Sequence, residues 1–211
     1  MSVVLVIGTH NRKKAREIAD ILRMPGIELR TLDDFPGAPE PVEDAPTFEQ
    51  NAVKKATELA DALRLPVAAD DSGLEVDALG GRPGVFSARY GGQHGNDPRN
   101  IDTLLRELRG VPPERRTARF RTVAALAIPG RLLATVEGTL EGTIAAEPHG
   151  TNGFGYDPVF LVPALGKTCA QLDPAEKNRI SHRGQAFRRL RDLLPKFLEN
   201  MHHEGHEEHE G

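Results

Sequence analysis

The sequence predicts an α/β domain, and three observations carry that prediction. A β-branched run, Val3 to Ile7, stops at Gly8 and is followed by Arg12 to Leu22, whose Ala15, Ile18, Ala19 and Leu22 share one helical face. Short apolar runs and periodic segments keep alternating through the first hundred residues. Two longer runs, Arg119 to Ile128 and Leu132 to Leu140, flank Pro129-Gly130 and read as a hairpin. At 211 residues the chain suits one large domain or two tightly packed lobes, enough to bury a real core.

Each element has a local reason. The spacing in Arg12 to Leu22 lays that helix on a sheet, and Ile27 to Leu32 reads as a second strand. Phe35 to Pro46 has four prolines, together with Glu40, Glu43 and Asp44, and no period, as expected of an ordered loop or acidic rim. Thr47-Phe48-Glu49-Gln50 fits a capping box that opens a helix running to about Arg64. Val67 to Ala69 follows as a buried strand that ends at Asp70-Asp71-Ser72-Gly73. Gly73 to Gly95 reads as strand, turn and loop, Asn100 to Leu108 as a helix, and Gly150 to Asp157 as a glycine-aromatic loop. Gly184 to Leu198 is the final helix, its last turn disturbed by Pro195. Residues 1 to 200 form the domain, and the His/Glu tail 201 to 211 is expected to be disordered and without a catalytic role.

Composition narrows the function. The four glutamates of the tail account for the whole formal charge of −4, so residues 1 to 201 are neutral. A neutral body argues against a nucleic-acid partner, whose phosphates would be met by many Lys and Arg. The apolar runs fall far below the roughly 18 to 20 residues of a bilayer span, so no membrane association is expected. No cationic-then-apolar leader opens the chain and Cys169 is the single cysteine, from which a cytoplasmic location is expected.

Five constellations carry chemistry. Thr9-His10-Asn11-Arg12-Lys13-Lys14 lies between a strand and a helix start, where backbone amides and lysines can hold phosphate; taken alone, it is equally a polar cap. It lacks the P-loop pattern. Asp70 and Asp71 sit at a strand end, where neighbouring side chains point to opposite faces, so one works and the other supports the loop. Glu40, Glu43 and Asp44 offer a second carboxylate of the hard kind that suits magnesium, or a solvated rim. Gly150 to Asp157 exposes amides around Phe154, a ring able to stack on a base, or forms an anchored loop. Lys177 and Ser181-His182-Arg183-Gly184 place donors at the last helix entrance, for a ligand oxygen or for capping.

Joint occurrence changes the weighing. Thr9-x-Asn11-x-x-Lys14, Asp70-Asp71-Ser72-Gly73-Leu74, Gly81-x-Pro83-Gly84-Val85-Phe86-Ser87-Ala88-Arg89-Tyr90, Gly153-Phe154-Gly155-Tyr156-Asp157-Pro158 and Ser181-His182-Arg183-Gly184 together resemble the inosine triphosphate pyrophosphatase (Ham1-like) family. The likeness covers about residues 3 to 198. It implies an elongated mixed central sheet flanked by helices, two lobes with the nucleotide in the cleft between them, and a homodimer. It also implies magnesium-dependent hydrolysis, with manganese as an alternative, of inosine, deoxyinosine and xanthosine triphosphates to monophosphate and pyrophosphate. By the resemblance Asp71 is the catalytic acid and a metal ligand, and Glu43 is the second metal carboxylate, with Glu40 and Asp44 as neighbours able to compete. Thr9, Asn11, Lys14 and Lys55 match phosphate contacts, while Ser72, Phe154, Gly155, Tyr156, Asp157, Lys177, His182 and Arg183 match nucleoside and phosphate contacts. His10 and Lys13 depart from the family's usual glycines and are bulkier, and Arg12 lies between them.

On base edges, a donor-lined site accepts the 6-oxo group of hypoxanthine or xanthine and rejects the 6-amino group of adenine; His182 and Arg183 are expected to read it. The rivals are a Maf-like pyrophosphatase, disfavoured by the Phe154 loop and Ser181-His182-Arg183, and a catalytically silent nucleotide sensor, disfavoured by Asp71 beside an acidic loop.

Overall fold

The structure, a computed structural model, describes residues 2–207, with side chains through Leu198. Residues 208–211 of the tail lie outside the described residues, and the side chains of 199–207 are likewise outside them.

The opening strand β1 (Val3–Ile7) leads into α1 (Arg12–Leu22) and β2 (Ile27–Thr31). After the proline-rich loop come α2 (Phe48–Leu63) and β3 (Val67–Val76), then α3 (Asp97–Glu107). The hairpin β4 (Thr117–Ile128) and β5 (Arg131–Ile144) is followed by short β6 (Phe160–Val162) and β7 (Lys167–Thr168). A short α4 (Pro174–Ile180) precedes the final α5 (His182–Glu207). The strands form one seven-stranded mixed sheet in the order β2-β1-β3-β4-β5-β6-β7. The β1–β2 and β1–β3 pairs are parallel and every later pair is antiparallel.

Sequence pattern explains why this end of the sheet is covered on both faces. Leu5 and Ile7 of β1 enter the cluster under α1 and α5, with Ile18, Phe187 and Leu190. Val6, pointing the other way, joins Ala52, Ala56 and Leu59 of α2. A third cluster fills the far half of the sheet, where Leu74 and Phe120 meet Leu104, Val159 and Phe160.

Two local expectations are corrected. The run Asp70 to Gly73 does not end the strand, because each residue stays in antiparallel register with β4 from Ala124 to Arg121, and sheet pairing overrides turn-forming composition. Pro195 lies inside α5, which continues beyond it. At the start of α2, Thr47 accepts from the Gln50 amide at 3.2 Å, which is the hydroxyl half of the expected capping box; among the described residues the return bond from the Gln50 side chain is not made.

Candidate active site

The first loop is built from its own side chains. Thr9 Oγ1 accepts from the Asn11 amide at 3.2 Å, and Asn11 Oδ1 caps α1 by accepting from the amides of Lys13 and Lys14 at 3.0 and 3.1 Å. Those two amides, which the sequence offers to phosphate, are already engaged. Lys14 instead sends its ammonium inward, to Asp70 Oδ2 at 3.3 Å.

Strand alternation then separates the two adjacent aspartates. Asp70 faces α1 and α5, fully buried, with Lys14 and the Arg183 Nε at 3.6 Å on the same oxygen. Burial opposes its ionisation, yet Lys14, Arg183 and Lys55 outweigh burial and hold the carboxyl well below the usual carboxylate range. Asp71 faces α2, where Oδ2 accepts from Asn51 Nδ2 at 2.9 Å and Oδ1 from the Ser72 amide at 2.8 Å. Here burial and the neighbouring Glu43 raise the pKa, and Lys14, Asn51 and Lys55 only partly offset them.

Lys55, one turn after Asn51 on α2, donates to the Asp70 carbonyl at 2.9 Å and pairs with Glu43. Glu43 is thus the acidic-loop carboxylate beside Asp71, and Arg89 donates to its backbone carbonyl at 3.3 Å. Asp44 turns to Lys54 at 2.8 Å. Among the described residues, no hydrogen bond or ion pair ties Glu40 to this group.

Two cationic groups, Lys177 and Arg183, gather at the α4–α5 junction. Lys177 bridges Asp157 at 2.6 Å and Glu17 at 3.0 Å, and Arg183 reaches Glu17 at 2.7 Å and Ser72 Oγ at 2.9 Å. Burial lifts the Asp157 carboxyl above its ordinary value in spite of Lys177. For Glu17, burial is outweighed by Arg183 and Lys177, which lower it. The Phe154 ring lies against Lys177 at 4.7 Å, Arg183 at 5.4 Å and Lys13 at 6.0 Å. Lys13 also donates to the Gly153 carbonyl at 3.2 Å. His182 stacks on Phe120 with centroids 4.7 Å apart, and burial, with Arg183 and Lys177 beside it, pushes its pKa well below 6.5. Its Nδ1 is buried without a hydrogen-bond partner, as are Asp70 Oδ1 and Thr122 Oγ1. α5 approaches the sheet this closely because β5 has glycine at 138; a Cβ there would collide with the His182 carbonyl and come within 2.7 Å of the Ala186 nitrogen.

These groups border a cavity of about 150 Å³, the volume of several waters and hence of ligand size rather than a single-water void. Asn11, Lys14 and Ser72 line it, as do Phe154, Gly155, Tyr156 and Asp157, and Lys177, His182 and Arg183. Tyr156 is fixed by its hydroxyl donating to the Ser87 carbonyl at 2.9 Å, and Gly155 by its amide donating to Asp97 at 2.7 Å. Asp71, Glu43 and Lys55 sit across β3 from it and Thr9 supports the loop below, while exposed His10 and Arg12 lie outside, Arg12 on Asp33 at 3.1 Å. Sequence reasoning passed over Asn51, Glu17 and Asp97, and named Ser87 within a motif without giving it a role. Only pairing at long sequence separation brings these to the site; Glu17 is the one with a local signal, an acid one turn beyond Lys13 on α1.

The donor set suits a hard divalent ion. Two carboxylates, Asp71 and Glu43, stand together, with Asp71's pKa raised first by burial and then by its neighbour's charge, a repulsion that a cation would relieve. Among the described residues no three His, Cys, Asp or Glu converge, so an all-protein cage of three or more such ligands is not built, whereas magnesium is commonly held by one or two carboxylates with phosphates and water.

A mixed sheet with this carboxylate and cation arrangement defines a class already suggested by the motifs, and comparison with known proteins agrees. The model of the Ham1 family matches residues 5–193, and the chain belongs to that family. It is 57% identical to the dITP/XTP pyrophosphatase of Geobacillus kaustophilus, over 88% of this chain and 91% of that protein. The corresponding protein of Bacillus subtilis is 49% identical over 90% and 96%. Among solved structures, a HAM1 protein from Coxiella burnetii superposes with a TM-score of 0.83 at 41% identity, covering 92% of this chain and 99% of that one.

Proposed function

We propose that this chain hydrolyses the non-standard purine nucleotides dITP, ITP and XTP to the nucleoside monophosphate and pyrophosphate, clearing them from the pool that supplies DNA and RNA synthesis. The observation that carries the reading is the division across β3. One face holds a carboxylate with a raised pKa beside Glu43 and Lys55; the other holds cations around a ligand-sized cavity. The names of the related proteins support the same substrates.

In this reading Lys14 and Lys55 meet the phosphate oxygens, with Asn11 shaping the loop that presents Lys14. Asp71 orients the attacking water and accepts its proton as the new bond to the α-phosphorus forms and pyrophosphate leaves. Its raised pKa suits that work. Asp71 and Glu43 would hold magnesium, or manganese in its place, which when bound neutralises charge on the triphosphate. Asp70 does not take part in the proton transfer; it keeps Lys14 and Arg183 in place.

Selectivity falls to the other end of the cavity. His182, kept neutral by burial, has an unpartnered Nδ1, a donor in the tautomer protonated there, and Arg183 lines the cavity beside it. A 6-oxo group gives that donor an acceptor; adenine's 6-amino group leaves it buried and unmatched, a cost of about 1–3 kcal/mol. Phe154 flanks the base. We read the protein as a two-lobed cytoplasmic homodimer as well, and light scattering at twice the mass of one chain tests the dimer. Among the described residues no helix is long and apolar enough to cross a membrane.

Pyrophosphate release from dITP, ITP, XTP, ATP and GTP, with magnesium and then with chelator, tests the activity. Turnover of the deaminated purines that stops with chelator is expected; nucleotide binding without release would sink the reading in favour of a sensor.

A further inference from the structure

Asn51 is almost wholly buried, 1% exposed, one helical turn before Lys55. Its carboxamide makes three hydrogen bonds. Oδ1 accepts from the Ala45 amide at 2.9 Å; Nδ2 donates to the Ala45 carbonyl at 3.3 Å and to Asp71 Oδ2 at 2.9 Å. Two of the three tie down the loop that carries Glu43, and the third ends on the carboxylate across from it.

We infer that Asn51 is a positioning residue that fixes the Asp71 carboxylate and the Glu43 loop relative to each other. Its catalytic consequence rests on the pyrophosphatase reading. Asp71 Oδ1 is held by the Ser72 amide, so the Asn51 bond to Oδ2 sets the plane of the carboxylate. That plane is otherwise free to turn, because the terminal torsion of aspartate is broad and roughly two-fold. The loop from Phe35 to Pro46 has no strand or α-helix of its own; Phe35 and Ala38 at its start pack on the core, and its other polar anchors are Asp44 to a half-buried Lys54, Glu43 to Lys55, and Arg89 to the Glu43 carbonyl. Being neutral, the amide does this without cancelling the negative charge of either carboxylate. Lysine there would neutralise Asp71 and aspartate would repel it.

Three variants test the assignment. Asn51→Ala should lower kcat 10- to 100-fold with KM within about twofold, as expected for a group that orients a reactive ligand. It should also speed cleavage by a Glu-specific protease after Glu43, identified by fragment mass; the Glu40 bond precedes Pro41 and resists such a protease. Asn51→Asp, nearly the same size, keeps the acceptor for the Ala45 amide and loses the donor to Asp71, so its kcat should fall as well. Ala60→Gly, buried further along the same helix, lowers stability without touching loop or carboxylate and should change neither readout. The assignment is overturned if Asn51→Ala and Ala60→Gly, both folded, share wild-type kcat and cleavage rate, or if Asn51→Asp turns over normally. Should the wild-type chain release no pyrophosphate, the functional reading fails and the cleavage pattern alone decides this one: equal rates in Asn51→Ala and wild type overturn it.

Discussion

Asp70 and Asp71 are the same residue type, adjacent on one strand, and the two sides of the sheet give them opposite chemistry. On the α1 and α5 side, Asp70 is buried against Lys14 and Arg183 and its pKa is lowered. On the α2 side, Asp71 is buried beside a second carboxylate and its pKa is raised. Burial acts on both in the same direction; the sign is decided by the charge of the neighbours. A carboxylate that is easy to ionise and surrounded by cations is a counter-ion. One that resists ionisation beside Glu43 holds affinity for a proton or a cation. The alternation of strand side chains, with a period of two, is what lets one dipeptide do both.

The sharpest way to break this comparison is to neutralise each carboxylate in turn. Asp71→Asn should cost about 10²- to 10⁴-fold in kcat, the range of a lost general base. Stability should hold or rise, because a group whose folded pKa is raised is destabilising when ionised. Asp70→Asn should do the reverse first. It leaves Lys14 and Arg183 without their buried anion, at a cost of about 3–5 kcal/mol. For a chain of this length that is roughly 6–20 °C in Tm. Thermal unfolding and pyrophosphate release on both variants check the pair; equal losses of stability would erase the distinction.

The contrast also marks what the sequence could tell. β1, α1, the Thr47 cap and the hairpin at Pro129-Gly130 were legible because their signals are local: a β-branched run, a 3, 4, 7 spacing, a capping hydroxyl and a turn dipeptide. Opposite faces for Asp70 and Asp71 followed from strand geometry alone. That β3 runs on through Ser72 and Gly73 did not, since their composition favours a turn and ten register pairs with β4 decide otherwise. Asn51 and Glu17 stayed hidden because the site residues they bind, Asp71, Lys177 and Arg183, lie 20 to 166 residues away. The motif residues could be named for the family they resemble, but not how they pair: Lys14 on a carboxylate, Lys177 across two acids, Phe154 beside three cationic groups.

A smaller effect tests how the cationic side is held to the sheet. Gly138→Ala adds a Cβ where the His182 carbonyl and the Ala186 nitrogen stand, both of them backbone and unable to swing aside. The start of α5 must shift, at about 1–3 kcal/mol, the usual cost of overpacking. Because Arg183 rides on that turn, the substitution should weaken preference for ITP over ATP more than it weakens turnover of ITP. A variant with lowered Tm and unchanged preference would detach α5 position from selectivity.

The smallest effect concerns His182 and distinguishes the same two sides by pH. Its folded pKa lies well below 6.5, because burial and then Arg183 and Lys177 disfavour the imidazolium. The unfolded chain therefore takes up this proton first as pH falls through about 6.5, and binding it favours unfolding. Stability contributed by the neutral ring is complete above 6.5 and declines below it, by at most about 1.4 kcal/mol per pH unit, until the folded pKa is reached. Lowered carboxyls such as Asp70 and Glu17 act in a more acid window, below their ordinary values of 3.8 and 4.5. Urea unfolding at pH 7.5 and 5.5 should thus cost wild type up to about 1.4 kcal/mol more than His182→Asn, which has no proton to gain. Equal losses in the two proteins would mean that His182 takes up its proton as readily in the folded chain as in the unfolded one, and burial would then not be what holds the ring neutral.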